Sequence, residues 1–179
     1  MSRLRITGGV WRSRQFAVAR LPGLRPTPDR VRETLFNWLG QDLTGWRCLD
    51  LFAGSGALGL EAASRGAALV TMVECNPRAF AVLQQHVQTL AATQMELVRG
   101  DALKFAARAA LAYDLVLLDP PYHQGWLPRL APLLSRLVAP DGWVYAEAES
   151  PIETLGEFST ERAGRAGQVC YQLMGRGGA

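Results

Sequence analysis

The chain has 179 residues, of which 49% are hydrophobic and 20% are charged, and its formal net charge is +3. This length and composition predict one domain with a full hydrophobic core, and no run approaches the roughly 18 apolar residues of a membrane span. The arginine-rich N-terminus lacks the apolar stretch of a signal peptide, so we expect a cytoplasmic protein. Cys48, Cys75 and Cys170 have no metal-ligand spacing and cannot complete a disulfide framework, which predicts reduced thiols and no bound metal.

Arginine is concentrated in the first part of the chain. Residues 1–35 carry a net charge of +6, whereas the remaining residues carry a net charge of −3. Only one of the 19 basic residues is a lysine. A guanidinium group binds phosphate through two parallel hydrogen bonds, so this pattern indicates contact with the phosphates of a nucleic acid. The alternative is an ordinary solvated surface that is rich in arginine.

A short extension and a first helix are predicted at the N-terminus. Residues 3–20 alternate weakly between polar and apolar side chains around the Gly8-Gly9 turn signal, which predicts a small β-hairpin. Pro22-Gly23 interrupts the chain, and the apolar spacing beyond it predicts a helix over residues 29–39. We therefore divide the chain into a basic hairpin extension, residues 1–24, and a main domain, residues 25–179.

Strands and helices alternate through the main domain. This order predicts an α/β fold with a doubly wound, Rossmann-like and mostly parallel sheet. Strands are predicted at about 47–52, 69–74, 95–99, 114–118 and 143–147, and helices at about 58–64, 77–90, 102–109 and 126–137. Two further runs, residues 157–162 and 168–174, predict a hairpin at the C-terminal end.

The first strand of this domain leads into a glycine turn and a helix. Gly54, Gly56 and Gly59 match the GxGxxG pattern of dinucleotide-binding folds, and Glu74 stands where such folds place a ribose-binding acid. Asp50, however, faces the position of the pyrophosphate and would repel it. The cationic S-adenosylmethionine (SAM), which has no phosphate, suits an acidic turn better. The residues alone therefore favour SAM over NAD.

A second motif, Asp119-Pro120-Pro121-Tyr122, follows the apolar run of residues 113–118. Ligands of open α/β sheets bind at the carboxyl ends of the strands, so this motif and the glycine turn are predicted to open into one crevice. Two consecutive prolines lack backbone donors and restrict φ. They would therefore fix the Asp119 carboxylate and the Pro120 carbonyl as acceptors.

These motifs resemble a known family. A DPPY sequence combined with a DxFxGxG turn is similar to SAM-dependent methyltransferases that modify exocyclic amino groups of bases. Residues 6–14 (ITGGVWRSR) and 23–39 (GLRPTPDRVRETLFNWL) are similar to the RsmD-like methyltransferases of bacterial small-subunit ribosomal RNA. The resemblance covers residues 5–173. It implies methylation of a guanine amino group, and it implies that the C-terminal hairpin places one antiparallel strand in the methyltransferase sheet.

The resemblance also implies roles for individual residues. The cofactor-binding residues would be Asp50, Phe52, Ala53, Gly54, Ser55, Gly56, Glu74, Cys75, Asp101, Ala102 and Asp119. The catalytic residues would be Asp119, Pro120, Pro121 and Tyr122, with Tyr122 stacking on the extruded base. The RNA-binding residues would be Arg5, Trp11, Arg12, Arg14, Arg25, Arg30 and Arg32.

Other readings stay open at this stage. An amino methyltransferase for DNA adenine or protein glutamine, an NAD-dependent dehydrogenase and a noncatalytic RNA-binding module are the alternatives. The loop after Tyr122 is short and leaves little protein to read RNA sequence. We therefore expect the substrate to be 16S ribosomal RNA in a partly or fully assembled small subunit, with ribosomal proteins bound, and the enzyme to be a monomer.

Overall fold

The computed structural model describes residues 2–177, which form ten strands and five helices. The strands are β1 (Arg3–Arg5), β2 (Gln15–Ala17), β3 (Arg47–Asp50), β4 (Leu69–Glu74), β5 (Met95–Arg99), β6 (Tyr113–Leu118), β7 (Val138–Ala148), β8 (Thr154–Leu155), β9 (Phe158–Ala166) and β10 (Val169–Arg176). The helices are α1 (Asp29–Leu39), α2 (Ala57–Ser64), α3 (Pro77–Leu90), α4 (Ala102–Arg108) and α5 (Trp126–Leu137).

Eight of the strands form one sheet in the order β5-β4-β3-β6-β7-β10-β9-β8. Strands β3 to β7 pair in parallel, whereas β10 pairs antiparallel with both β7 and β9. The prediction of a Rossmann-like sheet with a reversed strand near the C-terminus is thus confirmed. The two-residue strand β8, which was not predicted, adds an antiparallel edge to β9.

Helices cover both faces of this sheet because successive residues of a strand point to opposite sides. In β3, Cys48 packs into a core with apolar residues of α1, α2 and α3. The next residue, Leu49, packs into a second core with residues of α4 and α5. The short apolar runs of the sequence are therefore strands buried on both faces, as a doubly wound sheet requires.

Strand β7 begins five residues before its predicted start at residue 143. Pro140-Asp141-Gly142 lies before the predicted start, but Val138 already pairs with Tyr113 of β6. The register between β6 and β7 shifts after this pair, which accommodates the extra residues. The polar and proline residues therefore lie within an irregular strand and not in a separate loop.

The N-terminal hairpin is confirmed as an antiparallel pair in which Leu4 lies opposite Phe16. Its buried side chains pack against α2, α3 and the residues after α3, and this small core consists of Leu4, Ile6, Phe16, Val18, Ala57, Leu60, Leu90 and Ala92. The hairpin thus shares a core with the main domain. Its boundary at residue 24 stays a prediction.

Within residues 2–177, no helix is long and apolar enough to cross a membrane. The same residues contain no group of three or more His, Cys, Asp or Glu side chains arranged to hold a metal ion. The three cysteines are free thiols, with Cys48 and Cys170 buried and Cys75 exposed.

Candidate active site

The glycine turn joins β3 to α2 at the carboxyl end of the sheet. Gly56 precedes α2 with a φ of 86°, a left-handed conformation that side chains disfavour. Gly59 lies in the first turn and a half of α2, where an added Cβ would stand 2.4 Å from the sulfur of Met72 on β4. The first of these glycines permits the turn, and the second permits the close packing of helix on sheet.

Glu74, at the end of β4, braces the same turn. Its carboxylate accepts a hydrogen bond from the backbone N–H of Gly54 at 2.7 Å and another from the N–H of Asn76 at 2.9 Å. The predicted contact of Glu74 with ribose hydroxyls stays a prediction, and lone pairs remain on both oxygens for it. Partial burial of the Cys75 thiol raises its pKa, and the negative charge of the neighbouring Glu74 adds to this shift.

Asp101 follows β5 at the same edge of the sheet. Its carboxylate accepts a hydrogen bond from the backbone N–H of Lys104 at 2.9 Å, so it caps the N-terminus of α4. Ala102 is buried beside it. The cap fixes the orientation of the carboxylate, and this position is compatible with the predicted contact to an adenine amino group.

Three acidic side chains gather where β3, β6 and β7 end, and we call Asp50, Asp119 and Glu147 the acid cluster. In the parallel register Leu118 lies beside Ala146, so Asp119 and Glu147 continue as neighbours beyond it. Burial raises the pKa of Asp50 to about 7, and burial also raises the pKa of Asp119 well above its usual range. The carboxylate of Glu147 adds to the shift of Asp119 both as a like charge and as a hydrogen-bond partner.

Glu147 was not among the predicted site residues. It is 5% exposed, and its Oε1 accepts hydrogen bonds from the hydroxyls of Thr27 at 3.2 Å and Tyr145 at 2.6 Å. Thr27 lies in the segment before α1, so its hydrogen bond joins that segment to the carboxyl end of β7. An acidic residue at the end of an apolar strand was the available signal, because Asp50, Glu74 and Asp119 occupy the same kind of position.

The acid cluster has no cationic partner in the part of the chain that the structure describes. None of its three carboxylates forms a salt bridge there. Buried carboxylates without a counter-charge are costly, and they attract a cation. The residues therefore fit the positively charged amino and sulfonium groups of SAM. They do not fit a pyrophosphate, which disfavours the dinucleotide alternative.

Aromatic side chains lie in the glycine turn and at the start of α5, which follows the DPPY motif in the chain. Phe52 of the glycine turn meets Trp126 edge to face, with ring centroids 5.3 Å apart, and the guanidinium of Arg129 lies over Trp126 at 4.5 Å from the centroid. Pro120 is buried, whereas Tyr122 is partly exposed beside the motif. Burial, with Glu147 and Asp119 nearby, raises the pKa of Tyr122 to about 12, so the ring is neutral at physiological pH.

The expectation that Arg32 faces RNA has to be corrected. Its side chain is 1% exposed, and its guanidinium forms salt bridges with Glu61 and Asp29. Glu61 is also fully buried, and it accepts from Arg65 at 3.2 Å and from the backbone N–H of Thr7 at 2.6 Å. Arg32, Glu61 and Arg65, which we call the Glu61 cluster, therefore join the hairpin, α1 and α2 from within the protein.

The other predicted RNA-binding residues lie in two places. Arg25 and Arg30 are exposed beside the start of α1, near the carboxyl end of the sheet. Arg12 and Arg14 are also exposed, but the backbone of their neighbour Trp11 is hydrogen-bonded to Ser64, the last residue of α2. Helix α2 has eight residues, so Arg12 and Arg14 lie near its C-terminal end, about 12 Å from the glycine turn at its start.

Two further residues of that set have partners within the protein. Trp11 is partly buried and packs against the cores beside α2. Arg5 is exposed and forms a salt bridge with Asp29 at 3.0 Å, with 53% of its side-chain surface accessible. Contacts of both residues with RNA stay predictions.

Comparison with known proteins gives a consistent result. The family model described as conserved hypothetical protein 95 matches residues 4–175. The chain is 42% identical to the ribosomal RNA small subunit methyltransferase D of Escherichia coli strain K12, over 97% of this chain and 90% of that protein. It is 38% identical to the protein of the same name from Haemophilus influenzae, over 95% of this chain and 92% of that protein.

A solved structure agrees with the sequence relatives. The structure of the protein yhhF from Escherichia coli superposes with a TM-score of 0.88 and is 41% identical, covering 99% of this chain and 100% of that one. The whole architecture described above, including the hairpin and the reversed C-terminal strand, therefore lies within the length that the two chains share.

Proposed function

This chain belongs to the conserved hypothetical protein 95 family, and on that premise we propose that it is a SAM-dependent methyltransferase of small-subunit ribosomal RNA. The relatives that cover nearly the whole chain carry the name of such an enzyme. We further propose that the methylated atom is the exocyclic N2 of a guanine. The observation that carries the proposal is the acid cluster beside the DPPY motif, which joins a cation site to two fixed acceptors.

The cofactor would be held at the carboxyl ends of β3, β4 and β5. Asp50 would accept from the amino group of the methionine part, Glu74 from the ribose hydroxyls and Asp101 from the adenine amino group. Residues 52–56, Cys75 and Ala102 would line the same crevice, and Asp119 would border it next to the target base. When bound, SAM supplies an activated methyl group on a positively charged sulfur.

The DPPY residues would prepare the target nitrogen. The lone pair of a guanine amino group is delocalised into the ring, which makes the nitrogen a poor nucleophile. If Asp119 and the Pro120 carbonyl accept its two hydrogens, the lone pair is directed away from them, toward the methyl group. Pro121 rigidifies the motif, and Tyr122 would stack on the base after it leaves its helix.

The substrate would be contacted by arginines on the exposed surface. Arg25 and Arg30 lie nearest the crevice, and Arg12 and Arg14 extend the basic surface along α2. Because the loop after Tyr122 is short, we propose that the shape of the RNA and of bound ribosomal proteins selects the site. A partly or fully assembled subunit is then the substrate, and the enzyme acts as a monomer.

The test is transfer of labelled methyl from SAM to small subunits, and to naked RNA extracted from them, both from cells that lack this gene. Nucleoside analysis should find the label in N2-methylguanosine, from subunits more than from naked RNA. Asp119→Ala should lower the transfer rate about 10²- to 10³-fold while SAM affinity, measured by calorimetry, changes little.

Asp141→Ala is the matched control, because this exposed carboxylate lies at the opposite end of the sheet. It should leave the transfer rate unchanged. Absence of label in both RNA substrates, despite SAM binding, would overturn the ribosomal RNA target and redirect the search to DNA adenine or protein glutamine.

A further inference from the structure

The proton that leaves the target amino group needs an acceptor. Methylation of a neutral amino group by a sulfonium gives a cationic nitrogen, which must lose one proton to become the product. His123 is an unsuitable acceptor, because its side chain is 79% exposed and its Nδ1 lies 3.6 Å from Glu149 on the outer surface. The carboxylates of the acid cluster are the remaining candidates beside the DPPY motif.

Within this cluster, Asp119 and Glu147 form a pair whose members differ in their surroundings. Glu147 accepts hydrogen bonds on one oxygen from the hydroxyls of Thr27 and Tyr145. No hydroxyl or N–H within residues 2–177 donates to the side chain of Asp119 in the same way. Asp119 and Glu147 are neighbours at the ends of β6 and β7, and burial together with the charge of Glu147 raises the pKa of Asp119, so the proton that the pair shares rests on Asp119.

We propose that Glu147 is a positioning residue for Asp119 and receives, through it, the proton that the target amino group loses. This inference rests on the proposed function. Before reaction, one oxygen of Asp119 donates its proton to Glu147, and the other oxygen accepts from the base amino group. Glu147 thereby fixes which oxygen faces the substrate.

The atoms and charges of the step balance. As the bond between nitrogen and methyl forms and the bond between sulfur and methyl breaks, the nitrogen gains a positive charge. Its N–H bond breaks, and the proton joins the free oxygen of Asp119. The O–H bond already present on Asp119 breaks as well, and that proton joins Glu147. The carboxylate pair passes from a charge of −1 to neutral while the sulfur passes from +1 to neutral.

The charged and titratable groups around the pair come from several elements. Asp50 on β3 and Glu147 on β7 both act on Asp119 through their charges. Tyr145 and Tyr122 also lie beside the pair, and burial raises the pKa of both hydroxyls. Asp50 adds a further negative charge that disfavours ionisation of Asp119. Burial and these like charges raise the pKa of Asp119, so Asp119 holds the proton of the pair before reaction.

The experiment is a pH profile of single-turnover methyl transfer to small subunits. Glu147→Gln should lower the rate at neutral pH by about 10²-fold, with SAM affinity within about threefold of the wild type. Its acid limb should move to higher pH, because the charge must then rest on Asp119 itself. Thr27→Val removes one hydroxyl from Glu147 and should shift the acid limb in the same direction, by less. In the double variant with Glu147→Gln, the Thr27→Val change should add no further shift.

Glu149→Gln is the matched control, since it removes an exposed carboxylate just beyond the same strand and should keep the wild-type profile. A lower rate in Glu147→Gln with an unmoved acid limb would overturn the proposal and leave Glu147 a purely structural role. If Glu147→Gln does not fold, Thr27→Val decides by the same criterion.

Infrared difference spectroscopy tests the pair without any RNA. The wild type at neutral pH should show the carbonyl band of a protonated carboxyl group that disappears in Asp119→Asn. An unchanged band would overturn the proton assignment. Failure of the wild type to methylate guanine would contradict the proposed function, whereas a wild-type acid limb in an active Glu147→Gln enzyme would contradict only this inference.

Discussion

A single buried acid, Glu61, and the acid cluster lie within the same protein and differ in their counter-charges. The carboxylate of Glu61 is fully buried between the guanidiniums of Arg32 and Arg65. The acid cluster is similarly enclosed, with Asp50 1% and Glu147 5% exposed, but its neighbours are hydroxyls and other carboxylates. Burial is therefore common to Glu61, Asp50 and Glu147, and of these only Glu61 is paired with cationic side chains within residues 2–177.

This difference is the one expected between a structural role and the cofactor-binding role that we propose. A buried charge that is paired within the chain stabilises the fold, and removing one partner leaves the other uncompensated. A buried charge without a partner costs stability, and a cationic ligand can recover that cost. The Glu61 cluster joins the hairpin to α1 and α2, whereas the acid cluster lies at the carboxyl ends of β3, β6 and β7, beside the DPPY motif.

The largest expected effect is on the Glu61 cluster. Glu61→Gln keeps the shape of the side chain but leaves two buried guanidiniums without their shared charge, so we expect the free energy of unfolding to fall by about 3–5 kcal/mol. Chemical denaturation at neutral pH measures this change. Glu33→Gln, an exposed change on α1, is the control and should change stability by less than about 0.5 kcal/mol. Equal stability of the two variants would remove the contrast between the clusters.

At Asp50 we expect a smaller effect on the free energy of unfolding, and here the substitution stabilises the protein. Its pKa of about 7 in the folded state is higher than in the unfolded chain, so the folded state holds a proton that the unfolded state releases. The wild type should therefore lose stability as the pH rises from about 4 to 7, with a smaller loss above that range. Asparagine has no proton to lose, so at pH 8 Asp50→Asn should be more stable than the wild type by on the order of 2 kcal/mol. Denaturation curves between pH 5 and pH 8 measure it.

Asp141→Asn, at an exposed position, is the control for Asp50→Asn and should follow the wild-type curve. Asp119 contributes a loss of the same sign, since its pKa is also raised. Asp50→Asn should therefore flatten the pH dependence without abolishing it. A variant curve parallel to the wild type would show that Asp50 already has a compensating charge.

The smallest expected effect concerns two arginines of the same helix. Arg30 is exposed and Arg32 is buried in the Glu61 cluster. Arg30→Ala should weaken RNA binding a few-fold and reduce the salt dependence of the binding constant by about one phosphate contact, with stability unchanged. Binding to small subunits at several salt concentrations measures this.

Arg108→Ala is the control for Arg30→Ala, because Arg108 is exposed at the end of α4 and lies away from the crevice. Arg32→Met should instead lower stability and keep the salt dependence of the wild type. If Arg30→Ala and Arg108→Ala bind RNA identically, the exposed start of α1 is not part of the RNA surface.

Much of this molecule follows from local sequence patterns. Helices α1, α3 and α5 and strands β4 and β5 have the predicted limits, because their apolar spacing and their flanking Gly, Pro and Asn residues are local signals. The glycine turn and the DPPY motif were predicted to share one edge of the sheet. The pairing of β3 with β6 confirms that expectation, since parallel neighbours end on the same side.

Only the tertiary structure distinguished the roles of similar residues. Arg30 and Arg32 stand two positions apart in a run of charges, and the helical turn together with the position of Glu61 decides which one is buried. The position of Glu147 beside Asp119 follows from strand order, which places β7 beside β6, and Thr27 contacts Glu147 across 120 residues of sequence. The sequence by itself determined most of the elements and the motifs, and it favoured a cationic cofactor over a pyrophosphate. Which charges are paired depends on contacts between distant segments, so only the tertiary structure decided which acids are paired with arginines and which lie together without a cation.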